Sequence, residues 1–460
     1  MTDMADDRDK GPSVEEIDAA ESKLQRRHIQ EAEIPLEQRK VEARLVRKVD
    51  MRLIPVLGIL YSIAGLDRVN LSNARVAGMN DDLRFDIGDR YSIALLVFFV
   101  TYFLFELPTT LSLRRVGPKL LLNSLVLCWG LVMLGMGWAN DWRVIVVCRM
   151  LIGVFEAGFL PCCMYLLSSW YQRYEVQQRM ALWYMINLFI SAFGNILAYA
   201  LIKLDGTHGV AGWRWIFIIE GAITVGFAVI GYVFTLPFPD QVLASGTKSC
   251  FTREELENIL DRVDRDRGDA EPDALTLRKV VQTALRWELW VYGLMFLCCS
   301  APIYAFAYFI QIILTTLGYS TAVVFLLCAP PYLFSIVWTL CVAWFADRSR
   351  VRVFLGVSGC NANLPTIIAF QSNNVRGASR RSVASGVQML FAAIGGVYAS
   401  CTFMQTEYPT YRTGVWCGAA TQFLLIALVA LMCWWFRRQN TKADRDGVAI
   451  MEDLEYRYTY

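Results

Sequence analysis

Histidine is nearly missing from this chain. Its 460 residues include two, His28 and His208, and such a pair supplies no metal constellation. The thirteen cysteines contain no Cys-x-x-Cys pair. Most of them, such as Cys128, Cys148, Cys162, Cys163, Cys298, Cys299 and Cys328, lie inside apolar runs, where a thiol is a small buried apolar residue. Walker, Gly-x-Ser-x-Gly and His-Glu-x-x-His motifs are all lacking. ATP hydrolysis is therefore excluded as a driving reaction, nothing suggests an enzyme, and no metal or other cofactor is expected. The first fifty residues hold no short apolar region with a small-residue cleavage site, so no removable signal peptide is expected. A net charge of +2 leaves no basic surplus for nucleic acid.

Apolar residues are abundant instead. Hydrophobic residues make up 55% of the chain and aromatic ones 13%, far above what the core of a soluble protein requires. Several windows of 18 or more residues are almost free of charge, long enough to cross ~30 Å of hydrocarbon as a helix. The chain reads as an all-α polytopic membrane protein with the lipid bilayer as its surroundings.

Spans are expected near 52–74, 91–113, 119–139, 143–168, 180–202 and 213–236, then near 288–313, 321–345, 353–370, 383–404 and 413–436. The expected parts are a tail 1–50, a six-helix bundle 51–236, a linker 237–286, a second bundle 287–436 with five apparent spans, and a tail 437–460. Within the linker, Thr252 and Glu255 have capping-box spacing at the head of a charged helix. Arg44, Arg47, Lys48 and Arg52 precede the first span, and basic loops follow the second and fourth. An excess of Lys and Arg marks the cytoplasmic side, so the amino terminus is expected to be cytoplasmic.

That alternation fails once. Arg348, Arg350 and Arg352 precede the stretch 353–370, and Arg376, Arg380 and Arg381 follow it, so both flanks look cytoplasmic. The fourth span runs through Pro161 into "QQRMA", and 353–370 runs through Pro365 into "SRRSVA". The latter thus corresponds to the fourth helix of a second repeat whose third helix is absent. About 35 residues, one span plus a loop, are expected to be missing between Arg352 and Val353. A re-entrant segment is the alternative.

Charges inside apolar runs are the candidate functional groups, because one at the bilayer centre costs ~2.5–3.5 kcal/mol and persists where a partner or a wet cavity receives it. Asp67 and Arg68 follow a charge-free run. Either the first helix ends there, or it passes a polar cavity with Asn70, Asn73 and Arg75 as a polar stripe. On the fourth span Arg149 and Glu156 are seven residues apart and share a face. They form either a mutual structural pair or half of an anion and proton site, and Gly153 and Gly158 beside them permit close helix packing. In the second half the polar residues are uncharged: Tyr304, Tyr308 and Gln311 on one face of span seven, Asn361 and Asn363 before Pro365, and Gln388. Opposite two arginines, this set suits a small polar organic anion.

Several strings are specific. "RKVDMRLIPVLGILYSIAGLDRVNLSNARVAGMNDDL", "RMLIGVFEAGFLPCCMYLLSSWY", "GWRWIFIIEG", "YAFAYFIQIIL", "FADRSR" and the terminal "YRYTY" together resemble the fungal allantoate permease group of the anion:cation symporter family, within the major facilitator superfamily. The pattern around "YAFAYF" is most similar to nicotinate and pantothenate carriers. The resemblance implies two helical bundles that rock about a central site, and proton-coupled import of an organic anion such as nicotinate, pantothenate or allantoate. It implies carboxylate binding at Arg68 and Arg149, proton coupling at Asp67 and Glu156, a gating loop at Asp347 and Arg348 in "FADRSR", a monomer, and a plasma-membrane address. Two features depart from the pattern. The loop signature between the second and third helices is reduced to "LSLRRVGPK", and eleven spans stand where the family has twelve. A non-transporting nutrient sensor or an inactive shortened carrier is the competing reading.

Overall fold

The computed structural model describes residues 36–245, 250–267, 282–283, 285–349, 360–375, 378–403, 407, 411–446 and 458. Among them the regular structure is entirely helical. Among the described residues, nine helices are long and apolar enough to cross a membrane, or ten when one bent pair is taken as a single span.

Helix α1, Leu36–Ala74, starts well before the expected span. It continues through a π-helical turn, Arg75–Met79, closed by Gly78 at φ 109°. Asp67 and Arg68 are therefore inside the helix, not at its end. Helix α2, Arg90–Val116, bends by 49° between Arg90–Glu106 and Pro108–Val116. Proline lacks the N–H that an unbroken helix needs at that position. Helix α3 is Pro118–Met136.

The expected span 143–168 is present as Trp142–Trp170, with a two-residue interruption. Helix α4, Trp142–Glu156, ends at Ala157, and α5, Phe159–Trp170, starts after Gly158, whose φ of 74° suits a residue without a Cβ. A Cβ at Gly158 would also stand 2.8 Å from Thr109 Cβ. Helices α6, Arg173–Ile202, and α7, Gly212–Phe234, follow. Glycine lets α7 lie close to α3, since a Cβ at Gly221 would collide with the Leu134 backbone.

After α8, Pro239–Ser245, comes α9, Arg253–Arg267. It opens with the expected capping box: Thr252 N–H donates to Glu255 at 2.9 Å, and Glu255 N–H donates to Thr252 Oγ1 at 3.3 Å. Lys48 pairs with Glu255 at 2.7 Å, and Arg262 pairs with Glu42 at 3.3 Å and with Glu175. The linker helix is thus tied to the start of α1 and of α6.

The second half contains α10, Trp287–Thr316; α11, Thr321–Leu327; α12, Ala329–Ser349; α13, Cys360–Asn374; α14, Ala378–Thr402; and α15, Arg412–Asp446. Of the expected span 353–370, the described part is helix α13 from Cys360 onward, and residues 350–359 lie outside the described residues. The Arg352–Val353 junction lies outside the described residues.

Two apolar cores result. One fills the first half and takes in Tyr308, Phe309, Ile312 and Phe403 from the second. The other lies within the second half, around Tyr292, Phe370, Met432 and Phe436. The halves meet where α10 lies on α1, α14 on α2 and α12 on α6. Outward faces keep large apolar side chains such as Leu111, Val233, Trp416 and Phe423 uncovered. So broad an apolar surface is a liability in water; hydrocarbon is its natural solvent.

Candidate substrate and proton site

Buried charge is concentrated in the first half. Among the described residues the buried charged side chains are Asp67, Arg75, Glu106, Arg149, Glu156 and Glu220, and Arg68 joins them with 15% of its side chain exposed. They converge because α1 carries Asp67 and Arg68 between α4, α7 and α10.

The pairing is not the one that spacing along α4 suggests. Glu156 accepts from Arg68 Nε and lies within ion-pair distance of its Nη2, so its partner comes from α1, not from Arg149. The Arg68 guanidinium lies over the rings of Tyr102 and Phe98, at 5.4 and 5.8 Å, and donates to Tyr304 Oη at 3.4 Å across the seam between the halves. Arg149, 1% exposed, donates from Nη1 to the Asp67 backbone carbonyl at 3.4 Å, while its Nε and Nη2 have no partner. Nε and Nη2 of a guanidinium form the edge that pairs with a carboxylate through two hydrogen bonds.

Asp67 accepts from Trp129 Nε1 and Thr224 Oγ1, each at 3.2 Å, and from Asn70 Nδ2 at 3.4 Å. The same Asn70 nitrogen donates to Glu220 at 2.7 Å. Asn70, expected among the anion contacts, thus bridges two carboxylates. Farther along α1, Ser72 donates to the Tyr308 carbonyl at 2.8 Å and to Gln311 Oε1 at 3.1 Å, and Tyr91 reaches the same carbonyl at 3.2 Å. Gln311 Nε2 donates to Asn73 and, at 2.9 Å, to Asn195. It clasps α1 and α6 to α10. Tyr304 and Tyr308 stack with ring centroids 6.1 Å apart.

The structure therefore brings Asp67, Arg68, Asn70, Arg149, Glu156, Tyr304, Tyr308 and Gln311 together. It does not join Asn363 and Gln388 to them: both are buried in the second half, and no described hydrogen bond links them to α1. The side chains of Asn361, Asp347 and Arg348 lie outside the described residues, although Asp347 and Arg348 fall in the last turn of α12. Sequence reasoning missed Glu220, Glu106, Trp129 and Thr224. The two acids carried a readable signal, each being a lone carboxylate in an apolar run. Trp129 and Thr224 carried none, because each looks like an ordinary apolar-helix residue.

Two helical halves that meet at a seam beside buried charge are the architecture of a secondary membrane transporter. The chain belongs to the Major Facilitator Superfamily, whose family model matches residues 57–406. It is 31% identical over 459 aligned residues to the MFS-type transporter cnsO of Penicillium expansum, covering 90% of this chain and 87% of that one. It is 27% identical to the high-affinity nicotinic acid transporter of Saccharomyces cerevisiae, covering 89% and 80%. The cnsO alignment has more positions than the part of this chain that it uses, so some tens of residues present in that relative have no counterpart here. Among solved structures, the proton:xylose symporter XylE shares the fold at a TM-score of 0.57 and 14% identity, covering 84% of this chain and 96% of that one.

Proposed function

We propose that this transporter is a proton-coupled symporter importing a small organic anion of the nicotinate, pantothenate or allantoate class. The observation that carries the reading is Arg149, fully buried with two guanidinium nitrogens open beside Asp67. A carboxylate completes that fork and is held by two charge-assisted hydrogen bonds. Arg68 is the second cation, released from Glu156 as the halves rock, and Tyr304 and Tyr308 supply the polar aromatic wall. Asp67 and Glu156 are the carboxylates of the proton relay. The family-level likeness to a nicotinic acid transporter supports the substrate class. Arg44, Arg47, Lys48 and Arg52 in the first half of α1, and Arg437, Arg438, Lys442 and Arg445 in the last turns of α15, support a cytoplasmic side for both termini. The plasma membrane is the proposed address, with the chain acting as a monomer.

Uptake of radiolabelled nicotinate, pantothenate and allantoate by a permease-deficient yeast expressing the chain tests this reading. Accumulation of one of them, collapsed by a protonophore, is the expected result. Binding without accumulation overturns it in favour of a sensor. The alignment positions absent from this chain favour a second reading, a carrier inactivated by loss of one helix. Sequencing the expressed transcript across Arg352–Val353 decides that: about 35 additional in-frame residues restore a twelve-helix carrier, and an unaltered junction predicts no transport.

A further inference from the structure

We propose that Asp67 and Glu220 form a proton-sharing carboxylate pair, which keeps one proton in the empty carrier and takes a second, the coupling proton, when an anion docks on Arg149. The inference deepens the symport reading and rests on it for the role of the second proton. The resident proton stands on geometry alone.

Charge balance is the first argument. Arg68 and Glu156 cancel as an ion pair. Arg75 stands apart from these groups, over the Tyr91 ring at 4.2 Å and bonded to Asn80, and Glu106, on α2, has no described ion pair. Left over on α1, α4 and α7 are one cation, Arg149, and two acids, Asp67 and Glu220. The fully ionised site is thus one negative charge in excess, in surroundings where an uncompensated charge is costly.

The contacts say where the excess lies. Among the described residues no cation touches either carboxylate. Asp67 is held by an indole, a hydroxyl and an amide, and Glu220 by the same amide of Asn70, while its Oε1 is buried with no partner. Two carboxylates meeting at one nitrogen do not both stay ionised away from water. Among the described residues no hydrogen bond or ion pair joins a further charge to Glu220 from the elements packed on α7. Arg75 of the π-helical turn is over Tyr91, Arg173, Glu175 and Arg179 are in the first two turns of α6, Lys203 caps its other end, and Lys119 is at the start of α3.

Coupling follows from the same count. With one proton on the pair and Arg149 empty, the site is neutral and the empty carrier can return. An anion on Arg149 alone makes it negative, and a second proton alone makes it positive, so neither half-loaded form reorients readily. Anion and second proton together restore neutrality. Arg149 connects the events because it lies on the Asp67 backbone: cancelling its charge removes what favours an ionised Asp67.

The test needs no substrate. Infrared pH titration of the full-length protein in lipid vesicles reads protonated carboxyl groups by a C=O stretch well apart from the carboxylate bands. A protonated band at neutral pH is expected, abolished by Glu220→Gln and by Asp67→Asn, and retained by Glu156→Gln and Glu106→Gln. Should Glu220→Gln fail to fold, Glu220→Asp with carbon-13 in its remaining glutamate carboxyls replaces it; its band is expected to show no isotope shift. An absent band in the wild type, a band that survives Glu220→Gln, or an isotope shift that persists in Glu220→Asp overturns the proposal. Nicotinate uptake into the same vesicles keeps the two readings apart. A wild type that holds the band but ignores an inward proton gradient refutes symport and leaves the pair standing.

Discussion

Arg149 and Arg68 are both buried arginines of one site, yet their surroundings make opposite demands. Arg149 has donors to offer, so in the proposed mechanism removing it takes away anion binding and breaks no described ion pair. Two charge-assisted hydrogen bonds at ~1.5–3 kcal/mol each predict that Arg149→Ala weakens anion binding by about 100-fold or more. Surface expression should be unchanged, and Arg149→Lys should recover only part of the loss because lysine lacks the planar fork. Nicotinate uptake against surface labelling checks both. Arg68 and Glu156 already satisfy one another. Breaking a buried pair costs ~3–5 kcal/mol, whereas replacing both members by apolar residues is far milder. Melting curves of the solubilised protein are therefore expected to fall further for Arg68→Met or Glu156→Leu than for the double variant. At this scale the sequence exposed which acids and bases are intramembrane, because hydropathy isolates them. It did not expose partners: Arg149 and Glu156 share a helix face, but the nearest cation to Glu156 arrives from α1.

Helices set where those residues stand. The α4–α5 break immediately after Glu156 depends on Gly158 in a left-handed conformation against Thr109. Gly158→Ala is expected to cost ~1 kcal/mol for the backbone alone and more for the collision, read as a lower Tm with transport impaired at elevated temperature. The linker helix α9 offers a pH test outside the membrane. Burial acts to raise the Glu255 carboxyl, but the Lys48 ammonium, the Thr252 N–H and the Arg52 charge outweigh it and hold it below the usual carboxylate range. A depressed folded value contributes stability above about pH 4.3, the ordinary glutamate value, which is lost as pH falls through the lowered one. Hydrogen exchange of the Arg253–Arg267 amides, corrected for intrinsic rates, should be flat from neutral pH to about pH 5 and rise below it. Glu255→Gln should loosen α9 at every pH. The capping box was legible from the spacing of Thr252 and Glu255. The length of α1 was not, since its charged first turns look like a tail until α9 and α6 pair with them.

Across the whole molecule, the proposed site, neutral both empty and loaded, would move no net charge with a monoanion. A potassium diffusion potential set with valinomycin is therefore expected to leave nicotinate uptake into vesicles unchanged, while an inward proton gradient accelerates it; a strong response to potential would mean a second coupling ion. Gln311, bonded to Ser72, Asn73 and Asn195, clasps the halves at the far end of α1. Gln311→Ala should speed labelling of an Asn73→Cys variant by an impermeant maleimide applied from one side. The sequence by itself determined that the chain crosses a membrane, that its helices form two sets about a charged linker, and that an acid–base cluster lies within the first set. Those are properties of local composition and of the polarity of the solvent each segment must meet, and they can be read without knowing what touches what. Only the tertiary structure decided which charges cancel and which are left over. Pairing depends on helices far apart in the chain meeting at particular rotations, and this is how Glu156 came to serve Arg68, Arg149 was left open, and Glu220 was set on the same amide as Asp67.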